Sequence, residues 1–209
     1  MVDDVIAGKA FEDKRGVLVI ADHARYKGQL VPNYVVAGAI AGLRSAKAAQ
    51  APLSNVAING ITTDDDSGFT YSDSKKLGAN GFWRVGMSNY GTCITRRQLT
   101  SAATGDVNYD EQSIVCVVDS ICLTLKNVGR SYIGNSNISP ALLDILSIDL
   151  TIALNKFTRQ SDAYIGPMLL SASIVELAQD PADKSRIYAS IVGEPPKPFN
   201  EFAITFYMN

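Results

Sequence analysis

Acid–base chemistry is the first possibility to weigh in this chain. The single histidine, His23, follows Asp22 directly after a short apolar run that predicts a strand. Open α/β sheets place ligand sites at the carboxyl ends of their strands, so an enzymatic interpretation would begin with this pair. A catalytic histidine needs an orienting carboxylate and a nucleophile or a metal, and the spacing assigns neither. We therefore expect His23 to be a loop residue and the chain to have no catalytic residues.

The candidate metal ligands also fail on spacing. Asp64, Asp65 and Asp66 precede Gly68 as in a calcium loop, but the calcium pattern then needs a bidentate glutamate where Ser74 stands. The cysteines are odd in number and lack CxxC spacing, which argues against a zinc site and a disulfide framework. No phosphate-binding or nucleophile motif is present. We expect no cofactor, no metal and three reduced thiols, at Cys93, Cys116 and Cys122.

Charge and hydropathy argue against nucleic-acid and membrane partners. The 209 residues carry a net charge of −2, and the longest basic block is Arg96-Arg97, so a nucleic-acid partner is not expected. The longest apolar run, Val35–Leu43, is too short to cross a bilayer, and the acidic Asp3 and Asp4 do not suit a signal peptide. We expect a soluble protein made in a cytoplasm. The arginine pair could bind an acidic group, although a solvated strand end with salt bridges between subunits is the favoured interpretation.

Hydrophobic patterning predicts an α/β (α+β) fold with a mixed central sheet flanked by helices, as a single domain over residues 1–209. The N-terminal half gives the order β-α-β-α-β-β, with a small-residue face at Gly38 and Gly42 expected to pack closely on the sheet. Its predicted strands are 17–21, 56–61, 82–87 and 92–95, and its predicted helices are 34–47 and 73–79, capped by Asn33 and Ser72.

Two long helices and a strand region follow. The first helix, from about residue 110 or 113 to 130, is amphipathic. The second opens with Ser139-Pro140, an N-cap followed by proline, and is apolar almost all round, which predicts burial on more than one side. Strands are predicted at 168–177 and 186–192, and together they form the C-terminal antiparallel segment of the fold.

The last residues form a separate feature. A proline-rich linker at 193–199 leads into a terminal strand at 200–208, because proline excludes helix there. Phe202, Ile204, Phe206 and Met208 share one face of that strand, and its other face is also largely apolar. A free edge of this kind is an aggregation hazard, so the strand must be central in its own sheet or paired with another chain. The predicted assembly interface comprises Phe199, Phe202, Ile204, Phe206, Met208, Arg96 and Arg97.

The order of several motifs resembles the C-terminal part of contractile tail sheath proteins of myophages and related injection systems. The matching segments are VPNYVVAGAIAGLRS (31–45), KKLGANGFWRVGMSNYGTCITRRQLT (75–100) and the long helix that ends in Tyr132-Ile133-Gly134 and Asn137, followed by a proline-led terminal strand. The resemblance covers roughly residues 17–208. Sheath proteins of this family are commonly about twice as long, and no extended N-terminal arm is evident in this chain.

The resemblance implies a structural role without a covalent step. Family members polymerise as stacked rings around an inner tube, and their terminal arms add strands to sheets of neighbouring subunits. The implied partners are other copies of the chain, the tail tube protein, and the baseplate and tail terminator proteins, without nucleic acid or membrane. The implied location is a virion tail, after synthesis in a bacterial cytoplasm. Another tail or baseplate structural protein, a ligand-binding module, and an α/β enzyme using Asp22 and His23 stay open as alternatives.

Overall fold

The structure is a computed structural model that describes residues 2–21, 23–63, 69–88, 92–159 and 165–200. The chain divides into two compact units. The first contains residues up to Val115 together with the chain from Lys197 onward, and the second contains Cys116–Pro196. Each unit is described by itself. The single domain expected from the sequence stays a prediction.

The first unit is built on a mixed three-stranded sheet. β1 (Leu18–Ala21) runs parallel to β5 (Phe82–Met87), and β5 pairs antiparallel with β6 (Cys93–Thr95). A smaller antiparallel sheet has the order β3-β2-β4, formed by β2 (Ala24–Tyr26), β3 (Gln29–Leu30) and β4 (Ile61–Thr63). Its helices are α1 (Val2–Ala7), α2 (Asn33–Ser45), α3 (Tyr71–Ala79) and α4 (Val107–Asp110).

Alternation along the central strands sends side chains into two cores. On one face Trp83 and Val85 of β5 pack with Val36 and Ile40 of α2. On the other face Phe82 belongs to a second cluster. Its other members are Val2 of α1, Ile20 of β1, Leu77 of α3, and Phe69, two residues before α3. Successive strand residues point to opposite faces, and β5 is buried on both: Phe82, Trp83 and Val85 are apolar, whereas the buried Arg84 is charged. The predicted mixed sheet with helices on its faces is confirmed.

The second unit contains two helices and a β-hairpin. α5 (Gln112–Arg130) enters it after Val115, and α6 (Pro140–Arg159) follows. The hairpin consists of β7 (Ser171–Gln179) and β8 (Ile187–Glu194), antiparallel with a bulge between Ile174 and Glu176. Ser139 caps α6, because its hydroxyl oxygen accepts a hydrogen bond from the Leu142 amide at 3.2 Å. The predicted C-terminal antiparallel segment is confirmed by β7 and β8.

Helix caps differ from the sequence-based predictions. Asn33 is the first residue of α2 and not its cap, because its side-chain oxygen accepts a hydrogen bond from the Ala21 amide at 3.1 Å and so ties the helix to the end of β1. Thr70, not Ser72, caps α3, in a reciprocal capping box with Asp73. That bonding holds the pKa of the Asp73 carboxyl below its usual range. α2 therefore begins after Pro32 without a side-chain cap, whereas α3 has the full capping box of Thr70.

One predicted strand and two packing expectations are wrong. A strand was expected over 56–61, but β4 begins at Ile61 and only Ala57 forms an isolated bridge, to Ile94. A side chain built at Gly38 or Gly42 would meet nothing within 4 Å, so these glycines do not provide a close approach to the sheet. α6 is buried on one side only. Its outward stripe has fractional exposures of 51%, 59% and 52%, at Ile145, Ile148 and Ile152.

Candidate assembly site

The β7–β8 hairpin is the most distinctive surface feature of the second unit. Within the described chain the two strands form a two-stranded sheet of their own, so each has an outer edge without a strand beside it. An isolated two-stranded sheet is marginal in water, and its unpaired edge amides and carbonyls are a template for another strand. Val175 and Val192 are 64% and 60% exposed on this hairpin. Its edges therefore suit pairing with a further chain segment.

Local bonding at the hairpin turn explains why the two strands return on each other. The Asp180 carboxylate accepts a hydrogen bond from the Ala182 amide at 2.9 Å, and the Asp183 carboxylate accepts one from the Ser185 amide at 2.9 Å. Such turns let short acidic side chains replace missing backbone partners. Bonding to Ser185 holds the pKa of Asp183 below its usual range. Across the strands, the Tyr188 hydroxyl donates to Glu176, which raises the pKa of Tyr188.

A groove of about 980 Å³ lies between this hairpin and the two helices of the second unit. β8 contributes every second residue, at 187, 189, 191 and 193, so one face of the strand lines the groove and the other points away. α6 contributes one helical face. Its lining residues are Leu142, Leu146, Leu150 and Leu154, all buried. The floor of the groove is therefore apolar.

The charged side chains that line the groove are mostly basic. Lys126 and Arg130 on α5 and Arg186 before β8 are basic, and Asp183 is acidic. Tyr132, in the turn after α5, donates a hydrogen bond from its hydroxyl to Asp149 of α6, and this bond raises the pKa of the tyrosine. The turn expected from the YIG motif thus fastens the two helices that line the groove.

The predicted arginine pair lies in the first unit and makes contacts within the chain. Arg97 Nε lies 2.8 Å from Glu111 Oε1, and Arg96 Nη2 donates to the Met87 carbonyl at 2.6 Å. The Arg97 side chain is 53% exposed, whereas Glu111 is fully buried. Burial raises the pKa of Glu111, against the opposing effect of Arg97. Whether these arginines also contact another subunit stays a prediction.

Asn200 joins this cluster from the far end of the chain. Its Nδ2 donates to Glu111 Oε1 at 2.8 Å, and its Oδ1 accepts from the Ser54 hydroxyl at 2.9 Å. The sequence pattern did not indicate that Glu111, Ser54 and Asn200 meet, because 89 residues separate Glu111 from Asn200. Phe199 is 80% exposed. The other predicted interface residues, Phe202, Ile204, Phe206 and Met208, lie outside the described residues.

The enzymatic and metal alternatives acquire no support from the described geometry. His23 is exposed, with a positive φ of 42°, and its predicted neighbour Asp22 lies outside the described residues, as do Asp64, Asp65 and Asp66. Among the side chains that are described, no group of three or more His, Cys, Asp and Glu residues is arranged to hold a metal ion. Of the cysteines, Cys93 is buried and Cys122 is exposed, and both are free thiols.

Several solved structures share the fold of this chain. It superposes on a chain of the anti-feeding prophage baseplate with a TM-score of 0.75 at 10% identity, covering 95% of this chain and 56% of that one. The contracted sheath complex of the extracellular injection system PVC gives 0.74 at 11% identity, covering 100% and 60%. A sheath tail protein from Desulfitobacterium hafniense gives a TM-score of 0.61 at 11% identity, covering 88% of this chain and 46% of that one.

The fold is that of contractile sheath proteins. The chain spans about half the length of the solved proteins it matches. No protein-family model matches the sequence, and no curated protein does. In the part of the chain that the structure describes, no helix is long and apolar enough to cross a membrane.

Proposed function

We propose that this chain is a structural subunit of a contractile sheath, which polymerises into stacked rings around an inner tube and contracts to drive injection. The observation that carries the proposal is the likeness to a chain of the PVC sheath complex, which covers 100% of this chain. Its work is then the repacking of subunit interfaces, with no catalytic residue and no cofactor. Its further partners are the tube, baseplate and tail terminator proteins, and its place is the tail, after synthesis in a bacterial cytoplasm.

Strand addition at the β7–β8 hairpin is the proposed bond between subunits. The main-chain groups on the outer edges of the hairpin supply affinity for an added strand, and pockets for alternate side chains supply specificity. Both hairpin strands are long, nine and eight residues, so an added strand can form many main-chain bonds. A contact of this type joins unlike surfaces of two copies, and contacts that do not close on themselves generate helical polymers.

The proposed occupant is residues 201–208 of a second copy. Their alternating pattern puts Phe202, Ile204, Phe206 and Met208 on one face. In length this segment matches β8, and its apolar face suits the leucine-lined floor of the groove. One face of the added strand thus covers the groove.

A second candidate role is that of a baseplate component with the sheath fold. One neighbouring chain comes from a baseplate, and this chain spans only about half of its length. A baseplate protein with this fold would bind at the end of a sheath or in a single ring and would not polymerise alone. The two roles therefore differ in whether the purified chain forms long tubes.

Neighbouring residues of β8 allow a matched test of strand addition. Ala189 lines the groove and Ser190 points to the opposite face, and both are exposed. Exposed substitutions usually change the free energy of unfolding by under about 0.5 kcal/mol, so Ala189→Lys and Ser190→Lys should both fold normally. Sedimentation should show that Ala189→Lys prevents polymerisation and that Ser190→Lys does not. Equal polymerisation by the two variants would contradict the proposed docking face.

A further inference from the structure

Asn200 is held by both ends of its side-chain amide. The amide nitrogen donates to Glu111 and the amide oxygen accepts from Ser54, at 2.8 Å and 2.9 Å. Along the adjoining chain Phe199 is 80% exposed and Lys197 is exposed as well. The two hydrogen bonds of Asn200 thus attach this stretch to Glu111 and Ser54, immediately before the segment 201–209.

Contacts other than the one with Asn200 hold Glu111 in place. Its residue forms a β-bridge with Leu99, and its backbone amide donates to the Val107 carbonyl at 3.2 Å. The neighbouring Gln98 is fully buried; its side chain accepts from the Leu53 amide at 2.9 Å and donates to the Ser113 hydroxyl at 2.7 Å. The backbone that carries the Glu111 carboxylate is thus held in place by hydrogen bonds of Glu111 itself and of the neighbouring Gln98.

Burying the Glu111 carboxylate costs free energy, because the charged group loses its contact with water. Both bonds from Arg97 and Asn200 go to Oε1, and Oε2 is buried without a hydrogen-bond partner among the described residues. Replacing buried ionic groups by apolar ones is often neutral or stabilising, so burial of Glu111 is not explained by stability. A buried polar contact does select one partner and one geometry, which an apolar contact does not.

We propose that Glu111, with Arg97 and Ser54, forms a clasp that fixes Asn200 and so sets the point from which residues 201–209 leave the subunit. Glu111 is a positioning residue in this role. The use of the clasp in assembly rests on the proposed sheath function, because a strand that must reach a neighbouring hairpin needs a defined starting point. The clasp itself is a property of the single subunit and can be tested there.

Chymotrypsin offers a direct probe, because the exposed Phe199 precedes the clasped residue. The bond between Phe199 and Asn200 should be protected while Asn200 is held, since cleavage requires an extended, released chain. Asn200→Asp puts a second carboxylate against Glu111 and should open the clasp. Adding Glu111→Gln to the same chain restores a donor and acceptor pair, and the carboxylate introduced at position 200 can still accept from the Ser54 hydroxyl.

The single and double variants share the same residues at the scissile bond, so their cleavage rates compare directly. In dilute monomer, with the 1–199 fragment followed by intact mass, Asn200→Asp should be cleaved at least about tenfold faster than the double variant. The melting temperatures should agree within a few degrees. Equal cleavage rates in the single and double variants would overturn the clasp. Failure of the wild type to polymerise, with protection intact, would instead count against the sheath function.

Discussion

The two faces of α6 provide a quantitative test of the second unit. Leu150 faces the groove and is 4% exposed, whereas Ile148, two residues earlier, is 59% exposed. Leu150→Ala should lower the free energy of unfolding by about 3 kcal/mol, within the usual range for a buried leucine. For Ile148→Ala about two-fifths of the side chain is covered, so the loss is about 1 kcal/mol, and the better helix propensity of alanine offsets part of it.

Urea unfolding measures both values. With a denaturant slope of roughly 2 kcal/mol per M, Leu150→Ala should lower the midpoint by about 1.5 M, and Ile148→Ala by less than about 0.5 M. If Ile148→Ala costs as much as Leu150→Ala, the outer face of α6 is covered in the free subunit and the description of this helix is wrong.

The single tryptophan adds a second readout to the same experiment. Trp83 is 1% exposed in the core of the first unit, while Leu150 belongs to the second. Circular dichroism follows the helices of both units, and Trp83 fluorescence follows the first alone. One cooperative domain over 1–209 predicts that Leu150→Ala shifts both signals equally. A fluorescence midpoint that does not move would contradict the single domain.

Further predictions concern the first unit. Gly81→Ala should cost about 2–4 kcal/mol, because φ is +77° and the new Cβ would lie 2.7 Å from the Thr100 carbonyl oxygen. Gly105→Ala has nearly the same φ of +78° and open space, so thermal melts should show a loss of only about 1 kcal/mol; equal losses would exclude the clash. Cys122 should react with a thiol reagent at least about a hundredfold faster than buried Cys93, and comparable rates would contradict the burial. Burial also raises the pKa of Cys93 from 9.0 to about 11. The unfolded thiol therefore loses its proton first, and the Cys93 contribution to stability is complete below pH 9 and falls by up to about 3 kcal/mol as pH rises to 11. Cys93→Ala should remove that part of the pH dependence in urea titrations.

Local patterns predicted the elements whose signals are local. The Ser139-Pro140 start of α6, the apolar stripe of α5 and the strand β5 all depend on residues within a few positions of each other, and the structure has them. The Thr70 cap was also visible as a threonine three residues before Asp73, yet Ser72 was preferred. The error there lay in choosing between two polar residues that lie two positions apart.

Features that depend on distant parts of the chain were not predictable from local pattern. The composition of α6 suggests burial all round, but only packing partners decide which apolar face is covered, and Ile148 is left exposed. Glu111 looks like an ordinary polar residue between helices until Asn200 is brought to it from 89 residues away. The groove likewise requires α5, α6 and β8 to meet. The sequence therefore predicted the fold class and the general kind of site, but not its geometry.

Electron microscopy of the purified chain tests the central claim most directly. Negative-stain images at high protein concentration should show rings, tubes or helical polymers for the full chain, and a version ending at Asn200 should stay monomeric because it lacks the strand proposed to bind the hairpin. The second candidate role, in a baseplate, predicts at most single rings. A full chain that stays monomeric at 22.4 kDa under these conditions would contradict the account.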